Sequence, residues 1–441
     1  MRGNGDSWRK YRWHWKCAEK TVLTEKLIHY FRQIPDYRCG REKRHDLGEM
    51  LVCVTLGFLC GRTTIRRSLK WCKTHLEELR KHMNLKYGIA SPSTITRMLN
   101  GIDEELALYA FMEWIGEIVE SRNTHLAIDG KALCGATEKT KGETTPMLLN
   151  VVETVRGLIL AQLPVDSKTN EITAIPELLK LLDISGSIVT IDAVGTQTAI
   201  MEQIHEQGGH FVLTVKKNQP EAYEEIHTFM DKLGAEDLKR KKGEAMDPGM
   251  KEFLEKYEEI SQMEKNRDRN EYRTCQICKD ASNLTKSQKE WPHVQSIGRI
   301  KQVRIPKEKD SQGNDVTPSK EEFLEKGSRR IPAPSAGEGA GKDVQCTALI
   351  SDLILTAEEL GSIKRMHWSI ENRLHHVLDD TFREDRSPAK KSRNNLSLIR
   401  KYAYNILRLA MYETGLANIM TEMMDCFCDN AALRERYVFQ G

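Results

Sequence analysis

The spacing of hydrophobic positions predicts that the chain begins with helices. Residues 46–61 (DLGEMLVCVTLGFLCG) are apolar on almost every side, which predicts a buried helix. Residues 63–85 place apolar and charged positions at helical spacing, so we expect one long amphipathic helix there. Ser91 followed by Pro92 marks the start of a further helix. Residues 1–123 are therefore predicted to be helical throughout.

The pattern changes at residue 124, where short runs of β-branched and apolar residues replace the helical spacing. The runs predicted as strands are 125–130, 147–155, 157–166, 187–194 and 210–218. Helical spacing returns within 174–184 and 197–209, between the later strands. Three strands followed by alternating helices and strands predict an α/β fold in which helices cover a mixed sheet.

A charged segment follows these strands. Residues 218–346 are rich in lysine and glutamate and have little periodicity apart from strand patterns at 272–280 and 294–305. Proline, glycine, serine and charged residues dominate at about 306–342, which predicts a flexible loop. We interpret the segment as an inserted subdomain, after which helical spacing returns.

With 441 residues, the chain is long enough for two or three domains. The predicted parts are a helical N-terminal domain at 1–123, the first part of the α/β core at 124–217, the inserted subdomain at 218–346, a helical completion of the core at 347–415 and a C-terminal tail at 416–441.

Charge is unevenly distributed along the chain. Residues 1–100 contain 21 lysines and arginines against 9 aspartates and glutamates, although the net charge of the whole chain is only +3. This asymmetry favours a polyanionic partner, and we expect a nucleic acid rather than a merely solvated basic surface. Residues 8–16 (WRKYRWHWK) interleave tryptophans with basic residues, which is typical of single-strand-binding segments and also of disordered tails.

Composition gives a simple expectation about the compartment. No apolar run is long enough to cross a bilayer, and the eleven cysteines lack the spacing of a disulfide framework. We therefore expect a cytoplasmic protein with reduced thiols and no membrane partner.

Two of the predicted strands run into an aspartate. The stretch LAIDGK leads to Asp129, and IVTIDAVG leads to Asp192. A carboxylate beside a core costs free energy unless something pairs with it, and two at equivalent strand ends can share a divalent cation such as Mg²⁺. The alternatives are an Asp-Gly turn for Asp129 and a helix cap for Asp192.

A third acid lies on a later predicted helix. Ile370 belongs to a buried stripe, so the adjacent Glu371 is expected to be partly buried and able to complete a metal site. The alternative is a solvated helix residue. His367, Glu371 and His375 also recur every four residues, which would suit zinc, but no further ligand is evident and we do not favour that interpretation.

Several blocks of sequence together resemble a known family. AIDGKAL, the stretch from NEITAIPELLK to VKKNQ, and HWSIENRLHHVLDDTFREDRS closely resemble bacterial insertion-sequence transposases of the DDE superfamily, in the H-repeat-associated (ISAs1-type) branch. The stretch FRQIPDYRCGREKRHDLGEM resembles the N-terminal associated domain of that branch. The resemblance covers about residues 25–220 and 345–410.

The resemblance implies a ribonuclease-H-like core that cleaves DNA at insertion-sequence ends and transfers the strands to target DNA. Asp129, Asp192 and Glu371 match the Asp-Asp-Glu triad, which binds two divalent ions, Mg²⁺ with Mn²⁺ as a substitute. In this chemistry one ion activates a water and later the DNA 3′-hydroxyl, while the other stabilises the leaving oxygen. Terminal inverted repeats, target DNA, a homodimer on DNA and a location at the nucleoid are implied with it.

Other polar residues near the triad are expected to contact DNA phosphates. They are Lys131, Lys216, Lys217, Asn218, Arg365 and His367. For the lysines, the alternative is an ordinary surface position. Related branches carry a Tyr-Arg-Glu-Lys signature around the glutamate, whereas His367 and Leu378 occupy the arginine and lysine positions here.

Two other functions stay open from the sequence. One is a related metal-dependent nuclease that cuts DNA without joining it. The other is a decayed or domesticated relative that only binds DNA, against which the intact triad argues.

Overall fold

The computed structural model describes residues 26–40, 43–133, 146–165, 171–265, 269–284, 291–306, 308–309, 315–316, 344–387 and 389–440. The stretch at 8–16 and nearly all of the predicted loop at about 306–342 lie outside these residues. No helix in the described ranges is long and apolar enough to cross a membrane.

Within the described residues, the α-helices are α1 (Leu27–Gln33), α2 (Leu47–Leu59), α3 (Ile65–Thr74), α4 (Leu76–Leu79), α5 (Pro92–Gly101), α6 (Glu104–Ile118), α7 (Glu171–Lys180), α8 (Thr198–Glu206), α9 (Pro220–Lys242), α10 (Lys251–Glu255), α11 (Ala357–Ile370), α12 (Arg393–Thr414), α13 (Met420–Asp429) and α14 (Ala431–Arg434).

 The strands are β1 (His125–Ala132), β2 (Met147–Glu153), β3 (Leu158–Val165), β4 (Ile188–Ile191), β5 (His210–Val215), β6 (Tyr257–Lys265), β7 (Arg269–Cys278), β8 (Ser296–Pro306), β9 (Glu308–Lys309), β10 (Asp315–Val316) and β11 (Val344–Ser351).

The chain forms two compact units. The first comprises the residues up to Ser187 and those from Met366 onward, and the second comprises Ile188–Arg365. The predicted order of three strands followed by alternating helices and strands is confirmed in β1 to β5, so the fold is of the mixed α/β class. The predicted five-part domain division stays a prediction.

In the first unit, β1, β2 and β3 form antiparallel pairs in that order, and Asp129 lies opposite Asn150. Helix α2 is buried over its whole length, as the apolar pattern predicted. Its one acid, Glu49, accepts hydrogen bonds from the Asn84 and Leu85 amides, which offset the cost of burying a carboxylate. Helix α12 packs against α2, and the centre of its Tyr402 ring lies 4.7 Å from the centre of the Trp114 ring.

In the second unit, the strand order is β4-β5-β11-β8-β7-β6. Strands β4 and β5 are parallel and are joined through α8, whereas each of the other neighbours is antiparallel. A parallel pair needs such a crossover, because its strands start at the same edge of the sheet. The predicted strands at 272–280 and 294–305 correspond to β7 and β8.

Two predictions about helices were wrong. The helix expected over 63–85 ends at Thr74, where His75 leaves the helical conformation and its Nδ1 contacts the Trp71 carbonyl at 2.9 Å. Residues 220–242, expected to lack periodicity, form the long helix α9. It begins at Pro220 and ends before Gly243 in a left-handed conformation, two signals that its many charges obscured.

Candidate catalytic and metal-binding site

Asp129 lies inside β1 rather than after it. Gly130 and Lys131 continue the antiparallel pairing with Leu149 and Leu148, so the alternative of an Asp-Gly turn is wrong. The strand extends to Ala132 because β2 offers it a partner for its full length. The side chain of Asp129 is about one-third exposed, at 31%. The strand therefore holds this carboxylate on a fixed backbone and leaves it accessible.

Glu371 begins a turn that is wider than an α-helix. The His376 N–H donates to the Glu371 carbonyl five residues earlier, which makes Glu371–His375 a π-helical segment directly after α11. Such segments occur frequently at functional sites. The Glu371 side chain is 75% exposed, so the expectation of partial burial was wrong. The reason is that only its neighbour Ile370 points into the core.

The two carboxylates meet at one imidazole. His375 Nδ1 lies 3.2 Å from Glu371 Oε2 and 3.7 Å from Asp129 Oδ2. One potential ligand atom from each of these three residues falls within 4.8 Å of the others. Residues 242 positions apart in sequence are thus brought together in the first unit.

This donor set fits a divalent cation. Two carboxylate oxygens are the ligands that Mg²⁺ and Mn²⁺ prefer, and an imidazole nitrogen suits Mn²⁺ and Zn²⁺ as well. His375 itself is buried, whereas both carboxylates are accessible, so an ion held here would have one protein-facing and one open side. The zinc interpretation of the sequence had included His367, and the cluster contains Asp129 in its place.

Asp192 lies in the second unit, directly after β4. A short 3₁₀ turn, Ala193–Gly195, follows it, and the Asp192 side chain makes no capping hydrogen bond to that turn. Helix α8 starts later, at Thr198, with Gln197 in the cap position. The alternative that Asp192 caps the following helix is therefore wrong.

A lysine partners the Asp192 carboxylate. Burial alone would raise the pKa of Asp192, but the hydrogen bond from Lys216 and the charges of Lys216 and Lys364 hold this pKa below its usual value. Lys216 Nζ lies 2.6 Å from Asp192 Oδ2, and the Ala193 amide adds only a minor contribution. Asp192 is thus an ionised, half-exposed carboxylate with a cation already beside it.

The residues after β5 fasten the loop that follows Asp192. Asn218 Nδ2 donates to the Ala193 carbonyl at 3.0 Å, and the Gln219 amide donates to the Thr196 carbonyl. Thr196 in turn donates from its hydroxyl to the Thr214 carbonyl at 2.7 Å. These contacts fix the backbone on both sides of the 3₁₀ turn.

Lys131 is buried among carboxylates. Its Nζ lies 2.6 Å from Asp379, 3.3 Å from Glu384 and 3.5 Å from Asp385. Burial alone would lower the pKa of Lys131, but these carboxylates hold it above its usual value. The ammonium therefore stabilises the turn after the π-helical segment, and a phosphate contact by Lys131, which stays a prediction, would require it to leave these partners.

The other residues predicted to contact phosphates have varied surroundings. Arg365 pairs with Glu264 at 2.6 Å, and His367 is buried. Lys217 is exposed, and Lys216 and Asn218 make the contacts given above. Among these residues, Lys217 is the one whose position is most open to a phosphate.

A second lysine, Lys401, is fully buried and lies close enough to Lys131 to feel its charge. Lys401 donates to Asn150 Oδ1 at 2.6 Å and to Gln162 Oε1, and it is 0% exposed. Burial lowers the pKa of Lys401 to about 7, although the charge of Glu384 opposes this shift. The unfolded chain would bind this proton up to a pH of about 10.

Stability should consequently rise with pH because of Lys401. Above pH 7 the folded state binds fewer protons than the unfolded state, so the free energy of unfolding should increase by up to about 1.4 kcal/mol per pH unit between about pH 7 and 10. Urea unfolding of the parent and of Lys401→Met at several pH values measures this, because the variant lacks the group. A parent-minus-variant difference that stays flat or falls with pH would contradict the expectation.

Two contributors to the site escaped sequence reasoning. His375 was considered only as a zinc ligand and not as a partner of the Glu371 carboxylate. Its position four residues after Glu371 places the two side chains on one face of a helix, which was the available signal. Lys364 was not considered, and the structure buries its ammonium against the Thr214 hydroxyl at 2.8 Å, where its charge acts on Asp192.

Comparison with known proteins gives the class of this protein. The model of the Transposase DDE domain family matches residues 120–406, and the model described as DDE_Tnp_1-associated matches residues 28–115. The protein is a transposase, an enzyme that binds DNA, cleaves it and transfers the strands, and its chemistry uses divalent metal. The chain belongs to the Transposase DDE domain family.

Its relatives lie in the branch that the sequence suggested. The "H repeat-associated putative transposase YhhI" of Escherichia coli (strain K12) is 28% identical over 388 residues, which are 87% of this chain and 90% of that protein. The "H repeat-associated putative transposase YbfD" of the same strain is 32% identical over 196 residues, 44% of this chain and 78% of that protein. The predicted family membership is confirmed.

A solved structure shows a weaker likeness. A piggyBac transposase synaptic complex with hairpin DNA aligns with 95% of this chain and 79% of that chain, at a TM-score of 0.39 and 10% identity. This similarity is too low to assign the fold.

Proposed function

We propose that the protein cleaves DNA at the ends of an insertion sequence and joins those ends to target DNA, with Asp129, Asp192 and Glu371 as the metal-binding triad. The observation that carries the proposal is the meeting of Asp129 and Glu371 at His375 Nδ1, from opposite ends of the catalytic sequence. Two carboxylates that converge repel each other, and a bound cation offsets this repulsion.

Asp192 is proposed as the third carboxylate on separate grounds. It follows a buried strand, it is ionised, and it makes no capping hydrogen bond. Lys216, held 2.6 Å away, neutralises it as a bound cation would. The fixed loop around the Ala193–Gly195 turn gives the carboxylate a defined position. Together, the absent cap bond, the ionised state and the fixed position favour a role as a metal ligand.

Two Mg²⁺ ions, for which Mn²⁺ can substitute, are proposed as the cofactor. When bound, they supply an activated water, an activated DNA 3′-hydroxyl and stabilisation of the leaving oxygen. Asp129 and Glu371 would hold a cation on their accessible sides, and His375, from its buried position, keeps the two carboxylates in place. Lys217 and, once displaced from Asp192, Lys216 are proposed to contact the DNA backbone.

The finer architecture belongs to the same proposal. We infer a ribonuclease-H-like core, because an acid on β1, an acid directly after β4 and an acid in the π-helical segment that continues α11 occur in this order along the chain. Residues 1–123 are proposed as a helical DNA-binding domain and residues 218–346 as an inserted subdomain. We further propose terminal inverted repeats and target DNA as substrates, a homodimer on DNA, and a cytoplasmic location at the nucleoid.

Metal-dependent nicking tests the proposal. With a duplex carrying the inverted repeats that flank the gene, nicking should require Mg²⁺ or Mn²⁺, and Ca²⁺ should support binding only. A strand-transfer assay with the same DNA separates a transposase from a nuclease that does not join ends. Cleavage that persists in excess chelator would refute the metal site, and cleavage without any joined product would favour the nuclease.

A further inference from the structure

Helix α3 exposes a basic face. Arg66, Arg67, Lys70 and Lys73 are all exposed, and Thr64 caps the helix by accepting a hydrogen bond from the Arg67 amide. Within the part of the chain that the structure describes, none of these four side chains forms an ion pair with a carboxylate. A concentration of positive charge is therefore left without a local counter-charge on this helix.

The basic residues form a stripe. Arg66, Lys70 and Lys73 recur at intervals of four and three residues, so they lie along one side of the helix over about 10 Å. The opposite side is buried and contains Ser68 and Cys72, and the flanking Leu69 and Trp71 are buried with them. The helix is thus amphipathic: its apolar side is buried in the core, and its cationic side faces solvent.

The buried side holds α3 in a fixed orientation. Gly57 of α2 approaches Ser68 so closely that a Cβ at Gly57 would lie 2.5 Å from Ser68 Cα. The Arg434 guanidinium lies 5.4 Å from the centre of the Trp71 ring and bonds to Glu78 at 2.8 Å. Because Ser68 and Trp71 hold the buried side of the helix in place, its basic stripe is presented without having to order on binding.

Three other exposed basic residues of the same unit, by contrast, have acidic neighbours. Lys180 pairs with Glu177 at 2.8 Å, and Arg436 pairs with Glu413 at 2.9 Å. Arg122 lies 3.5 Å from both Glu120 and Asp183. Such pairs weaken the field available to a polyanion, whereas the α3 stripe keeps its full charge.

We propose that the face of α3 formed by Arg66, Arg67, Lys70 and Lys73 is the surface by which this protein holds the phosphate backbone of duplex DNA. The inference rests on the proposed function, since it assigns part of the DNA contact to one helix. Lysine and arginine contacts to phosphates supply most of the sequence-independent affinity for DNA and fix the register of the duplex. The face is expected to position DNA rather than to read its sequence.

The test compares two triple variants of the full chain that lose the same charge. One is Arg66→Ala, Lys70→Ala and Lys73→Ala, and the matched control is Arg122→Ala, Lys180→Ala and Arg436→Ala. Binding to an element-end duplex and to an unrelated duplex is measured over a range of salt concentrations. The α3 variant should bind both duplexes more weakly, on the order of tenfold to hundredfold near physiological salt, and its slope of log K against log salt should be smaller by about 3.

The control should bind as the parent does, and both variants should melt as the parent does because the replaced side chains are exposed. An α3 variant with the parent's affinity and salt slope would overturn the inference, as would an equal loss in the control, which would reflect net charge alone. A parent protein that binds neither duplex would instead refute the proposed function. Weakening confined to the element end would overturn the positioning role, because it would make α3 a reader of sequence.

Discussion

Asp192→Asn should reduce DNA nicking and joining by about a thousandfold or more, while the protein still folds and binds DNA ends. Asparagine keeps the shape of the side chain but loses the charge that holds a hard cation. Folding should survive because Asp192 makes no capping hydrogen bond that the substitution would remove. The measurement is single-turnover nicking and strand transfer with Mg²⁺, together with DNA binding and thermal unfolding.

A true helix cap provides the matched control. Asp103 caps α6 by accepting hydrogen bonds from the Glu105 and Leu106 amides. Asparagine is about as good a cap as aspartate, so Asp103→Asn should leave both activity and stability near those of the parent. An Asp192→Asn protein that behaves as Asp103→Asn does would refute the role of Asp192 as a metal ligand.

The same loss is expected for Asp129→Asn and Glu371→Gln. Combining two of the three substitutions should cost little more than one, because groups that act together on one reaction are strongly non-additive. Additive losses would instead indicate that the three acids contribute separately, and the triad would then be wrong even if each acid mattered.

Gly57→Ala should destabilise the first unit by about 1–3 kcal/mol or more. The added methyl group would meet Ser68, including its backbone Cα at 2.5 Å, and a backbone atom cannot rotate away. Helix α3 would have to move away from α2, so we expect weaker DNA binding together with the loss of stability. Urea unfolding and duplex binding measure the two effects.

Gly116→Ala in α6 is the matched control for a glycine in mid-helix. A Cβ at Gly116 would meet no atom within 4 Å, so alanine should stabilise the helix by up to about 1 kcal/mol through its better helix propensity. The two substitutions are thus expected to have opposite signs. If Gly57→Ala were neutral or stabilising, the close packing of α2 on α3 would not be the constraint that fixes the basic stripe.

The local pattern of the sequence was sufficient for much of the α/β core. Strands β1 to β5 match the five predicted runs because each is a short β-branched segment bounded by turn residues. Such a segment can be recognised from the local sequence, without knowledge of its tertiary contacts. The same pattern pointed to Asp129, Asp192 and Glu371, since an acid next to a buried run is conspicuous in sequence alone. The excess of lysine and arginine over aspartate and glutamate likewise indicated that the N-terminal segment binds a polyanion.

Tertiary structure alone decided how the acids are held. Whether Asp129 begins a turn depended on β2, which pairs beyond it, and whether Asp192 caps a helix depended on where α8 starts. The carboxylate partners of Lys131 lie about 250 positions later in the sequence, and the charge asymmetry could not distinguish an exposed stripe on α3 from basic residues paired with acids. Hydrophobic periodicity indicates which side of an element is buried. The pairing of charges instead depends on which distant segments the fold brings together, and the local sequence pattern does not show this.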